Sequence, residues 1–378
     1  MTWREYSVAF IHEPLIKLVG DQYASAVAGP AGFFSRGLCN LQEIWQEAHE
    51  SSRASSKVDL RQSTWKSVGS AYHQPVLWRE VMHWMNVQSG DYIVDGTLGG
   101  GGHSRLFLEA GARVLGIDRD PDALEYATEL LAGYGAAFSA QLGLHSEMDC
   151  NEVLQPLPSV DGVLLDLGVS SHQLDSAERG FSFQKDGPLD MRMGADAGMT
   201  AAEFVNEASQ EELRHVFVTY GEEPQARRIA ELIVRERSKR PFLRTLELAQ
   251  CIESSLGRKG KHHPATRVFQ AIRIHVNDEL ASINRSLNAA LRCLKPGGKL
   301  LVITFHSLED RSVKQFLHYH AQAELDDVTW AAPKPNPHFF LTLPMRKAIS
   351  AQNDEIKANP RARSAKLRVA IRNTTQHQ

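Results

Sequence analysis

Three aspartates and a run of glycines carry the first chemical signal in this chain. Val94-Asp95-Gly96-Thr97-Leu98-Gly99-Gly100-Gly101-Gly102-His103 reads as a buried strand ending in a carboxylate, a glycine-dense turn and a helix start. Glycine suits a backbone that takes positive φ or approaches a ligand closer than a Cβ permits. About twenty residues on, a second strand ends in Asp118, where an acidic side chain can hold the two ribose hydroxyls of an adenosine. A later strand delivers Asp166 to the same edge. The pattern places an adenosine-containing cofactor at the C-terminal rim of a parallel sheet.

The dinucleotide fingerprint Gly-x-Gly-x-x-Gly is met only loosely by four consecutive glycines. An acidic strand end, three residues and then Gly-x-Gly fits better, through Asp95, Gly99 and Gly101. That loop is similar to the one in class I methyltransferases, where the ligand is S-adenosylmethionine. Any tight strand-to-helix turn also favours glycine, and Asp166 by itself could simply cap a helix. The loop after Asp166, Leu167-Gly168-Val169-Ser170-Ser171-His172-Gln173-Leu174-Asp175, offers hydrogen-bond acceptors suited to an exocyclic amine. Such an amine delocalises its lone pair into the ring, so acceptors that bind more strongly as charge develops act on the transition state. Methylation at carbon 5 of a pyrimidine would need a cysteine nucleophile. None stands in this loop, which leaves nitrogen or oxygen as the acceptor.

The elements that must position these groups alternate from Tyr72 onward, as in a doubly wound α/β sheet. Strands are expected at Tyr92–Asp95, Arg113–Asp118, Phe138–Leu142, Gly162–Asp166 and Lys299–Phe305, and helices at Ser104–Ala110, Pro121–Leu131 and Ser282–Cys293. Lys295-Pro296-Gly297-Gly298 reads as a helix stop and tight turn. Lys366–Arg372 alternates like an edge strand. Between the fourth and fifth strands, helical spacing of Phe204, Val205, Leu213, Val216, Phe217, Ile229, Leu232 and Ile233 marks an inserted subdomain. The expected division is an N-terminal extension over 1–70, methyltransferase core over 71–195 and 263–378, and a helical substrate-binding subdomain over 196–262.

The chain has 378 residues, 42% of them hydrophobic and 23% charged, as in ordinary globular proteins. A net charge of −3 gives no global attraction to nucleic acid, so any RNA surface must be local. No apolar run is long enough to suggest a transmembrane span. Cys39, Cys150, Cys251 and Cys293 are widely separated, which argues for a reducing compartment and against a zinc site. The extension is rich in Ser, Arg and Lys, yet Glu5, Glu13, Asp21, Glu43 and Glu47 interrupt it, unlike an acid-poor transit peptide. That tips the expectation to a bacterial cytoplasm over a mitochondrial or plastid matrix. Oligomeric state is not legible.

Arginines and aromatics interleave in Arg179–Phe183, Pro188–Met193, His263–Ile274 and Phe305–Arg311. They suit RNA phosphates and stacked bases. Ion pairs locking the insert to the core, for example through Glu222 or Glu223, would explain the arginines as well. The basic cluster Arg235, Arg237, Lys239, Arg240, Arg258, Lys259, Lys261 and His262 is read equally as a solvated face or a phosphate contact.

Together with Asp95–His103, Asp166–Ser171, Gln173-Leu174-Asp175, Asn277 and Asn359-Pro360-Arg361-Ala362-Arg363-Ser364, these segments resemble the bacterial-type small-subunit ribosomal RNA methyltransferase H family. The resemblance runs from His73 to about Arg372. It implies a class I methyltransferase fold, S-adenosylmethionine as cofactor, and methyl transfer to N4 of one cytidine in the decoding region. The partner would be small-subunit rRNA or the assembled subunit, with no membrane. By motif, Gly101, Gly102, His103, Asp118, Asp166 and Gln173 would contact the cofactor. The family's phenylalanine in a His-x-x-Phe setting is replaced here by Met148, which can still pack on an adenine face. Asp166, His306 or water could accept the proton from the amine, and His306 is considered for its place just after the fifth strand. A DNA amino-methyltransferase would carry an Asp/Asn-Pro-Pro-aromatic motif where this chain has Asp166-Leu167-Gly168-Val169. A non-catalytic ribosome-assembly factor is the remaining alternative.

Overall fold

The structure is a computed structural model, describing residues 75–194, 198–258, 263–327, 329–330 and 332–374. The extension over 1–70 lies outside them.

Helix α1 (Trp78–Met85) precedes β1 (Tyr92–Asp95), α2 (Gly102–Glu109), β2 (Arg113–Asp118), α3 (Pro121–Leu131), β3 (Phe138–Leu142) and β4 (Val160–Asp166). β1, β2 and β4 are short and mostly buried on both faces, which is why they read as apolar runs, whereas the outer strand β3 is largely exposed. A brief helix α4 (Ser171–Asp175) opens the excursion into α5 (Ala201–Glu207), α6 (Gln210–Thr219), α7 (Ala226–Arg237), α8 (Thr245–Leu256) and α9 (Thr266–Val276). The chain then returns through α10 (Glu279–Cys293) into β5 (Leu294–Thr304) and α11 (Ser307–His320). A small ribbon, β6 (Glu324–Leu325) with β7 (Lys334–Pro335), leads to β8 (Leu341–Thr342), β9 (Ile349–Ser350), α12 (Asn353–Ala358) and β10 (Lys366–Arg372).

The main sheet has the order β3-β2-β1-β4-β5-β10-β8, with β9 also paired to β10. β1 to β5 are parallel and β10 is antiparallel to β5. Strand order reverses at β1, with β2 on one side and β4 on the other. In open α/β sheets that switch point is where a crevice forms beyond the strand ends.

Two expectations change. Lys366–Arg372 is not an edge: β5 lies on one side of it and β8 and β9 on the other. Its alternation reports half-burial correctly, but the covering strands are two residues each, too short to leave a pattern. The Lys295–Gly298 turn is folded into β5 as an irregularity, since pairing jumps from Val160↔Leu294 to Gly162↔Lys299.

The inserted helices bury their own core, centred on Phe217, Ile229, Leu248 and Ile272. That core spans Phe181 to Val276, so it takes in the Leu189–Met193 segment and all of α9 beyond the 196–262 stretch. Capping boxes at Thr200/Glu203 and Ser209/Glu212 set where α5 and α6 begin. The buried Asn277 side chain closes the end of α9 onto the Met191–Met193 segment: it donates to Met191 O and accepts from Met193 N, both at 2.8 Å.

Candidate active site

The parallel register brings the three aspartates to one rim. Asp95 pairs with Gly116 and Leu164, so Asp118 and Asp166 each stand two residues further along the neighbouring strands. The Thr97–Gly101 loop fills the space between them. Gly99 N donates to Asp118 Oδ2 at 2.7 Å, and Thr97 Oγ1 accepts from Asp166 N at 2.6 Å. Gly101 caps α2 at φ 75°, and a Cβ there would stand 3.1 Å from Leu131, so glycine is required on both counts.

The carboxylates differ in how they are satisfied. Asp95 is 1% exposed and accepts from Ser104 Oγ at 2.7 Å. Burial pushes its carboxyl up to about 6 despite the Ser104 hydroxyl and the Thr97 amide. Asp118 is also raised by burial, although Asp120 N and Gly99 N donate to its two oxygens. Asp166 is raised well above the usual carboxylate range by burial, then by Asp95 and Glu309. Its Oδ1 is sealed from solvent with no hydrogen-bond partner. The side chain as a whole is 24% exposed, with Oδ2 3.8 Å from His103 Nδ1.

His103 sits in the first turn of α2, with Nε2 3.0 Å from Val76 O. A carbonyl only accepts, so Nε2 carries hydrogen and Nδ1 presents a lone pair to Asp166. Burial lowers this imidazole to about 4, so it is neutral at physiological pH. Gly102 packs close to Pro75, which a Cβ at Gly102 would meet at 3.1 Å.

The other residues singled out in the sequence fall into two groups. Gln173 reaches the rim region, but its Nε2 donates to Asp120 Oδ2 at 2.7 Å and its Oε1 accepts from Ser170 N. Met148 is buried at 1% exposure, its Cε 3.4 Å from where a Cβ on Gly96 would stand. It therefore backs the turn after β1. His306 caps α11: Nδ1 accepts from Glu309 N at 3.4 Å, and Nε2 lies 3.0 Å from Glu309 Oε1, off the line of a hydrogen bond. Both its nitrogens thus face Glu309. Burial alone would raise the Glu309 carboxyl, but His306, Arg273 and the Phe305 N–H hold it below its ordinary value. Glu279, His306 and Glu309 bring ligand-type atoms within 4.8 Å of one another. Arg273 already serves this trio as cation, with two 2.8 Å bonds to Glu279.

Asp120 was missed in the sequence. It is 2% exposed, caps α3, and accepts from Gln173 and Arg179. Arg179 in turn donates to the carbonyls of Arg192 and Met193, so one carboxylate joins the α3 start to three motif segments. An aspartate directly before Pro121 is an N-cap signature that could have revealed it. One ion pair of the kind expected between insert and core is present: Glu222 accepts from Arg311 at 3.1 Å, and also from the Ser307 hydroxyl at 3.2 Å. In the basic cluster, Arg235 and Lys239 pair with Glu236 and Arg240 with Glu247, while Lys259, Lys261 and His262 lie outside the described residues.

A five-strand parallel run with an antiparallel strand beside β5, and acidic strand ends around a glycine loop at the switch point, define a class I methyltransferase. Comparison with known proteins narrows this. The chain belongs to the MraW methylase family, which matches residues 70–373. It is 50% identical over 307 residues to the ribosomal RNA small subunit methyltransferase H of Cereibacter sphaeroides, covering 80% of this chain and 91% of that protein. It is 49% identical over 312 residues to the protein of the same name from Caulobacter vibrioides, covering 81% and 97%. Solved structures are more distant. An rRNA methylase from Streptococcus thermophilus shares 11% identity at a TM-score of 0.33, over 78% of this chain and 95% of that one.

Proposed function

We propose that this protein transfers a methyl group from S-adenosylmethionine to N4 of a cytidine in the decoding region of small-subunit ribosomal RNA. The observation that carries the reading is Asp166, a raised, incompletely satisfied carboxyl beside the loop and the other two strand ends. Other buried side-chain atoms, among them Glu80 Oε2 and Glu355 Oε2, also lack a partner; Asp166 is set apart by its place at the strand rim beside the loop. The names and identities of the relatives support the substrate.

The residues fit the donor. Asp118 has acceptor capacity beyond its two backbone bonds, enough for ribose hydroxyls. Gly101 and Gly102 let the start of α2 pack against Leu131 and Pro75, which sets the turn an adenosyl group would meet, and His103 follows in the first turn of that helix. Gln173 holds Asp120 and with it the loop after β4; Met148 supports the Gly96 turn from beneath. S-adenosylmethionine supplies an electrophilic methyl on a sulfonium. Asp166 accepts a hydrogen bond from the amine, which favours the pyramidal nitrogen needed for attack. Alignment of the reacting atoms supplies much of the remaining acceleration.

Mass spectrometry of small-subunit rRNA nucleosides, with and without the gene, tests the assignment. N4-methylcytidine should disappear on deletion and return with the intact gene, but not with Asp166→Asn. Unchanged N4-methylcytidine after deletion would refute it.

A further inference from the structure

Methyl transfer to an amine leaves one proton to be disposed of, and Asp166 with His103 at the rim is arranged to hold it. Asp166 Oδ1 is sealed and unpartnered, so a charge on this carboxylate is poorly stabilised from that side. Its Oδ2 is the oxygen beside His103 Nδ1, at 3.8 Å. The Val76 carbonyl fixes the hydrogen of His103 on Nε2, at 3.0 Å, which leaves Nδ1 able only to accept. Two acceptors that face each other without a proton repel; with one proton between them they attract. A shift of about 1 Å would bring them to hydrogen-bond distance. The charged groups facing Asp166 are Asp95 on β1, with Asp118 behind it, and Glu309 on α11, itself held by Arg273. The nearest charges are negative, and they too favour a proton on the pair.

We propose that Asp166 and His103 form a one-proton pair that gives up its proton when the sulfonium donor binds and takes one back from the methylated amine. This rests on the methyl-transfer reading above. In the free protein the carboxyl carries the proton, shared toward His103 Nδ1. A bound sulfonium brings one positive charge, and the pair releases its proton to solvent. As the nitrogen lone pair forms the N–C bond, the C–S bond breaks and its electrons return to sulfur. The positive charge is then on nitrogen, the N–H bond breaks, and the proton passes to Asp166 Oδ2. Charge at the rim is thereby constant through the cycle. His103 is a positioning residue, because it acts through Asp166.

Calorimetric binding in buffers of different ionisation enthalpy counts the protons. At pH 7 the wild-type protein should release roughly half to one proton with S-adenosylmethionine and none with S-adenosylhomocysteine, the neutral thioether. Asp166→Asn should release none with either. His103→Gln keeps a donor for Val76 O but removes the facing lone pair. It should release less than about half the wild-type count and move the acid limb of the kcat profile down by roughly one pH unit. Equal release with both ligands, or a His103→Gln protein matching wild type in both readouts, overturns the pair. If His103→Gln does not fold, the Asp166→Asn count decides by itself. The two readings fail separately: rRNA methylation without sulfonium-specific release removes only the pair. Sulfonium-specific release without rRNA methylation removes only the substrate assignment.

Discussion

The strand rim and the helical insert treat charge in opposite ways. At the rim, Asp95 is closed off from solvent, Asp118 and Asp166 are half-buried, and each is raised by burial. On the insert, Glu211 is exposed and Glu236 and Glu247 are half-buried, and each meets the exposed side chain of an arginine or lysine. Exposed pairs of that kind contribute little to stability, whereas a buried carboxyl without full satisfaction is costly and persists for a reason. Charge density alone therefore does not locate function here; incomplete satisfaction together with a place at the strand rim does.

The sharpest way to break this contrast is Asp166→Asn. The change keeps shape and removes the carboxyl that takes up the proton, so methyl transfer should fall by about 10²–10⁴-fold while the melting temperature holds or rises. A large loss of stability would mean that Asp166 supports the fold instead. On the insert the expectation reverses. Phe217 is fully buried, and Phe217→Ala should cost about 3–5 kcal/mol in denaturant titrations, with turnover per folded molecule retained under stabilising conditions. Asn277 holds the base of the insert together. Its replacement by leucine strands Met193 N and Met191 O. We expect a loss of about 1–3 kcal/mol and a weaker RNA affinity if the Met191–Met193 segment contacts substrate.

A pH series sharpens the comparison further. His103 is neutral when folded, lowered to about 4, whereas an unfolded histidine titrates near 6.5. Between those values the unfolded chain binds the extra proton. This histidine's contribution is thus present above pH 6.5 and lost as pH falls towards 4, a swing of roughly 3 kcal/mol at most. Asp95 runs the other way. Raised to about 6, it favours the folded state at low pH, and that contribution is lost as pH rises through 6. Urea titrations from pH 7 to 4 should therefore show the stability gap between wild type and His103→Gln narrowing as the pH drops. A gap constant with pH would put the histidine outside the buried rim.

The smallest effect belongs to the surface. Arg240→Ala, which loses only an exposed pair with Glu247, should leave the melting midpoint where it was. A shallower salt dependence of RNA binding in this variant would turn a solvated face into a phosphate contact and blur the contrast.

Much of this molecule is written locally. β1, β2 and β4, with their acidic ends and the glycine loop, follow from short apolar runs, and α3 starts and stops where its Asp-Pro cap and spacing require. The amphipathic helices of the insert follow from their spacing in the same way. Tertiary structure alone decided which charges are satisfied and which strands have neighbours. Glu355 Oε1 accepts from Leu77 N across 278 residues, Asn277 reaches back to Met191, and the strands covering β10 are too brief to leave a pattern. A residue's type and its immediate neighbours specify backbone preference. Desolvation and partnering depend on everything within a few ångströms, most of it distant in the chain, so the acidity of Asp166 and the lone pair turned toward it exist only once the sheet, α2 and α11 have come together.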